Sequence, residues 1–118
     1  MHFPTSGLVV HEAKLKNDPG QIRLVIRVML ESLAFSQRER ARVVNYIKDK
    51  WKLDSKVADE VYGQWLSTLA MDGKISPKDL QEYFDLAYAY RQIPVPVQVK
   101  ALTDYTLLDQ VLKESAGR

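Results

Sequence analysis

Apolar residues recur along most of the chain with the period of a helix. After Asn17-Asp18-Pro19-Gly20-Gln21, apolar side chains stand at Ile22, Val25, Ile26, Met29, Leu30 and Leu33, at i, i+3, i+4, i+7, i+8 and i+11. Asp18 suits the N-cap, Pro19 the first helical position, and Gln21 follows three residues after the cap, so a helix is predicted over 19–35. Leu24 and Val28 widen its apolar face and leave a narrow polar stripe of Arg23, Arg27 and Glu31, which makes it the most buried helix by expectation. Ser36-Gln37-Arg38-Glu39 fits the capping box and predicts a helix over 37–51 with Val43, Val44, Ile47 and Trp51 inward. Behind Asp54, Val57, Ala58, Val61, Tyr62, Trp65, Leu66 and Leu69 form the cleanest amphipathic pattern, over 55–70. Gly63 interrupts it at about 1 kcal/mol relative to Ala, which suggests a close helix crossing there.

Asp72-Gly73 reads as a turn, and Ser76-Pro77 opens a helix over 77–91 with Leu80, Tyr83, Phe84, Ala87 and Tyr88 inward. Ile93-Pro94-Val95-Pro96-Val97 cannot be helical, since proline lacks a donor and disfavours the α region for its predecessor, so an extended connector is expected. Thr103 or Asp104 caps a last helix over 104–114. The short apolar stretch 7–13, bounded by Gly7, reads as a strand. The fold class is therefore mainly α: about five helices in an orthogonal bundle, one short N-terminal strand and a Pro-rich extended connector. The 118 residues support one hydrophobic core, so 1–118 is expected to be a single domain.

Composition narrows the function classes. Apolar residues at 46% and charged residues at 27% match a globular chain, and the absence of cysteine removes disulfides, thiolate zinc sites and cysteine nucleophiles. No apolar run approaches the roughly 20 residues that span a bilayer, so no membrane insertion is expected. The first residues lack a positive n-region and an apolar h-region, so the chain as written is expected in the cytoplasm; with a further N-terminal region, the expectation becomes the periplasm.

Catalytic and metal chemistry find little footing. His2 and His11 form no His-x-x-x-His or Glu-x-x-His pairing, no Gly-x-Ser-x-Gly is present, and no glycine run has phosphate-loop spacing. Asp79, Glu82 and Asp85 lie on the first turns of their helix, where acids suit the helix dipole. With Gly73 at position 6 of a calcium loop, Thr68 and Ala70 occupy positions 1 and 3, so the carboxylates that an EF-hand needs are missing. No enzyme, no metal site and no cofactor is the resulting expectation. The basic residues around 38–56, with Arg38, Arg42, Lys48 and Lys52 as the candidate contacts, offer an alternative role in docking an acidic partner or nucleic acid. Glu39 and Asp49 interleave there, and a solvated helix face laced with ion pairs accounts for the same residues.

The order of motifs carries a family resemblance. Phe3-Pro4-Thr5-Ser6-Gly7-Leu8-Val9-Val10, then Asn17-Asp18-Pro19, Arg27-Val28-Met29-Leu30-Glu31-Ser32-Leu33, Asp72-Gly73-Lys74-Ile75-Ser76, Ile93-Pro94-Val95-Pro96 and Leu102-Thr103-Asp104-Tyr105-Thr106-Leu107-Leu108 together resemble the C-terminal part of a periplasmic substrate-binding protein of ABC transporters. The likeness is to the nitrate/sulfonate/taurine and thiamine-precursor-binding group and covers about residues 3–112. It implies a two-lobed α/β clamp that closes on a small solute and passes it to a permease without catalysis. It also implies a ligand-binding role for Thr5, Ser6 and Gly7, which match the family's loop near the cleft. A lone strand edge invites pairing with another copy, so a homodimer is the expected partner state.

Overall fold

The computed structural model describes residues 6–117, and it is mainly helical. Among the described residues six α-helices follow one another: α1 (Glu12–Asn17), α2 (Pro19–Arg38), α3 (Arg40–Trp51), α4 (Ser55–Ser67), α5 (Pro77–Ala89) and α6 (Thr106–Ala116), with a 3-10 turn at Val99–Ala101. No helix among the described residues is long and apolar enough to cross a membrane. The chain divides into two compact units, one formed by residues 25–73 and the other by residues 6–24 with 74–117.

In the unit of residues 25–73, α3 and α4 form a tight hairpin, and its turn follows from local hydrogen bonding. Lys52 adopts the left-handed conformation at φ 55°, its N–H and that of Leu53 both donate to the Lys48 carbonyl, and α3 stops. This is a Schellman-type ending, completed by Leu53 packing back onto the core. Asp54 then accepts from the Val57 N–H at 2.9 Å and starts α4 at once. Ile47, Ala58 and Tyr62 form the buried centre, with Val43, Val44, Leu53 and Leu66 packed around it. Tyr62, 1% exposed, donates its hydroxyl to the Ser36 carbonyl at 2.9 Å, which satisfies the one polar atom that this side chain would otherwise strand.

Several expectations fail in this unit, among them Trp51, expected inward on α3 but 59% exposed. Ser36 does not cap a new helix: α2 continues to Arg38, the Ser36 hydroxyl donates back to the Ser32 carbonyl at 2.8 Å, and the Glu39 N–H still donates to the Phe35 carbonyl. A mid-helix serine has this alternative use for its hydroxyl, so the capping pattern alone does not break a helix. Gly63 makes no close crossing either, since a Cβ built there meets nothing within 4 Å. Nor is α2 the most buried helix, as Ile22 is its one buried residue. At the far end of α4 the helix closes at Ser67 rather than residue 70, because the Ser67 and Thr68 hydroxyls turn back onto the Gln64 and Trp65 carbonyls at 2.7 Å.

The second unit begins with a correction. Residues 6–11 carry no strand, and Glu12 and Ala13, placed by the sequence at the strand's end, open α1 instead. A strand exists only as one side of a ladder; among the described residues none pairs with this stretch, and Val9 is 93% exposed. His11 Nδ1 accepts from the Ala13 N–H at 3.1 Å and caps α1. Asp18 closes α1 and opens α2 together, accepting from Lys14 Nζ at 2.8 Å and from the Gln21 N–H at 3.1 Å.

Ser76 caps α5 through the Asp79 N–H, with Pro77 in the first turn as expected. Arg91, at φ 57°, ends that helix, and the Gln92 N–H reaches the Ala87 carbonyl at 2.8 Å. The Pro-rich stretch is non-helical as the prolines require, but it bends rather than running straight. Its far end is held by the Gln81 amide, which donates to the Val97 carbonyl at 2.9 Å and accepts from the Val99 N–H at 3.1 Å. Arg23 donates to Gln110 at 3.1 Å and pairs with Glu114 on α6, while the Tyr105 hydroxyl accepts from the Ile75 N–H at 3.3 Å. Neither Thr103 nor Asp104 is the cap of α6: Tyr105 takes that position without a side-chain bond, and Asp104, one residue earlier, accepts from the Thr106 N–H at 2.8 Å.

Candidate functional site

Thr5 lies outside the described residues. Ser6 and Gly7 are exposed, and the space beside Gly7 is open for at least 4 Å around a built Cβ. Leu8, Val9 and the half-buried Val10 follow without regular structure.

The candidate basic contacts Arg38, Arg42, Lys48 and Lys52 lie at the end of α2, on α3 and just past it, and do not make one positive face. Arg38 pairs with Glu39 at 3.5 Å. Arg42 lies over the Phe35 ring, 5.3 Å from its centroid. Asp49, seven residues after Arg42, shares its helix face, and Lys48 is turned about 100° away from Asp49. Lys52 sits past the helix end in the left-handed turn. Arg40, on the inner side, bonds Asp59 at 2.6–3.1 Å and covers the Tyr62 ring at 5.1 Å. The Asp59 carboxylate pushes the Arg40 guanidinium still further up from its ordinary value.

The structure leaves bare part of the apolar face of α2 that the sequence places inward through Val25 and Met29. Val25, Val28, Met29 and Phe35 are all exposed, and with Ser32 and Ser36 they recur at spacings of 3, 1, 3, 3 and 1. This is the period of an interacting helix stripe. The two serines are polar in name only on this face, because the Ser32 hydroxyl donates to the Val28 carbonyl at 2.7 Å and the Ser36 hydroxyl to the Ser32 carbonyl at 2.8 Å. Val28, Glu31, Ser32, Phe35 and Arg38 line an open hollow of about 540 Å³ along it. The signal was in the sequence, but a helix apolar on nearly every side does not say which side stays bare.

The Lys14 ammonium, then the Gln21 N–H, hold the Asp18 carboxyl below its ordinary range; hydrogen bonds from Thr106 do the same for Asp104. Both carboxyls stand at helix starts. Among the described residues no three His, Asp or Glu side chains converge on a point where a metal ion could sit. Comparison with protein-family models, with curated proteins and with solved structures finds no match to this chain.

Proposed function

We propose that the protein is a non-enzymatic binding protein of the solute-binding type, corresponding to the C-terminal part of an ABC-transporter substrate-binding protein. The observation that supports this reading is the stretch Leu8-Val9-Val10, apolar and without a ladder among the described residues, directly after Ser6-Gly7. Such a segment gains a strand's hydrogen bonds only by joining a sheet supplied from elsewhere. In a two-lobed clamp it joins the lobe's sheet and brings Thr5, Ser6 and Gly7 to the cleft; alone, it pairs with a second copy.

The ligand class is a small anion, sulfonate or pyrimidine. Ligand at ten times its Kd stabilises the bound state by about 1.4 kcal/mol, which a thermal-shift assay resolves. The expected result is a rise in melting temperature with one of these classes, removed by Gly7→Trp, a change that fills open space and leaves the helices intact. No shift with any class at millimolar concentration, or a shift that Gly7→Trp leaves unchanged, sinks the reading. Sedimentation of the full chain tests the pairing: a dimer that Val9→Pro disperses supports it, since proline removes a ladder donor, and a clean monomer at high concentration rejects it.

A further inference from the structure

The bare face of α2 is built differently from an incidental scatter of apolar surface residues. Val25, Val28, Met29, Ser32, Phe35 and Ser36 lie wholly within the unit of residues 25–73 and make one stripe of about three turns. Val28, at its middle, is 53% exposed. Both serine hydroxyls are satisfied by their own helix, so the stripe asks no hydrogen bond of an occupant, and its small serines let another backbone come close.

Charge distinguishes the ends of the stripe. At the C-terminal end, Arg42 covers the Phe35 ring, and Arg38 extends with 69% of its side chain exposed beside Glu39. Glu31 lines the same hollow near its middle, so an acidic stretch of an occupant is favoured only at the C-terminal end. A guanidinium held over an aromatic ring at the end of an apolar track is placed to meet a carboxylate.

We propose that this stripe docks an amphipathic helix of another protein, its apolar side laid along Val25, Val28, Met29 and Phe35 and its acidic end against Arg38 and Arg42. Helix-in-groove docking of this kind reads anchors at i, i+3 or i+4 and i+7, the spacing that the stripe presents. Because the hydroxyls are internally bonded, affinity comes from apolar contact, while the two arginines set the direction of the bound helix.

The test uses the full chain and three labelled 16-residue peptides followed by fluorescence anisotropy: one of Leu and Glu at helical spacing with Glu concentrated at one end, its scrambled form, and its Lys-for-Glu form. The acidic amphipathic peptide is expected to bind about tenfold or more tightly than either control. Val28→Ser removes the most exposed apolar contact of the stripe and weakens binding about tenfold, as loss of two buried methyls does. Arg42→Gln weakens it about two- to fivefold in low salt, a difference that disappears near 1 M salt. Val57→Ser, an exposed valine on α4, leaves binding unchanged and serves as the control for folding. Equal binding of the scrambled peptide, or no effect of Val28→Ser, overturns the proposal. So does a dimer in sedimentation that Val28→Ser abolishes, because the occupant would then be a second copy of this chain.

Discussion

Gly63 is the position where a single methyl group tests the packing most directly. It lies in the interior of α4, is exposed, and has nothing within 4 Å of the place a Cβ would take. Gly63→Ala therefore adds no clash, and it removes the backbone freedom that glycine retains in the unfolded chain, a gain of about 1 kcal/mol. The temperature shift depends on how much of the molecule unfolds together. At about 2.1 cal/mol/K per residue, cooperative unfolding of all 118 residues turns 1 kcal/mol into a rise of about 4 °C. If residues 25–73 unfold as their own unit, the same gain appears as about 10 °C in that unit's transition. Thermal melts by circular dichroism, paired with urea titrations, read both quantities; a raised urea midpoint at unchanged slope is expected for a purely local effect. A neutral or destabilised Gly63→Ala refutes the reasoning, for it would mean that another helix reaches this point and leaves room only for glycine.

Lys52 holds a left-handed conformation at φ 55° that glycine adopts without a steric penalty, so Lys52→Gly should stabilise the α3–α4 hairpin by up to about 1 kcal/mol, whereas Lys52→Val should destabilise it; urea unfolding of the two variants reads the difference. Asp18 has a depressed carboxyl pKa, so its contribution is fully present above the unfolded aspartate value and is lost as pH falls through the lower folded value. Asp18→Ala is therefore expected to lower the melting temperature at neutral pH and to converge with the parent chain as the pH drops below about 4, and a gap that persists into strong acid would contradict the cap.

The sequence by itself determined where α2, α4 and α5 begin, because a helix start is a matter of a few neighbouring atoms. Asp18-Pro19, Asp54 and Ser76-Pro77 each bring an oxygen to a free N–H two or three residues ahead, and Gly73 takes a left-handed φ of 73° at the turn between α4 and α5. The prolines at 94 and 96 forbid a helix whatever surrounds them. None of this needs distant residues.

The tertiary structure decided whatever depends on a partner far away in the chain. Leu8-Val9-Val10 has the composition of a strand but lacks a ladder among the described residues, and the helix-forming run from Glu12 takes over in its place. Ser36 and Glu39 spell a helix start, yet α2 runs on, and the carbonyl of Ser36 accepts the hydroxyl of Tyr62, 26 residues later. The grip of Gln81 on Val97 and Val99 is equally invisible in either segment alone. The candidate site shows the same division. The period of α2 is written in its sequence, but an apolar side chain carries the same pattern whether it is covered or bare, and only three-dimensional packing leaves Val28 and Phe35 exposed beside Arg38 and Arg42.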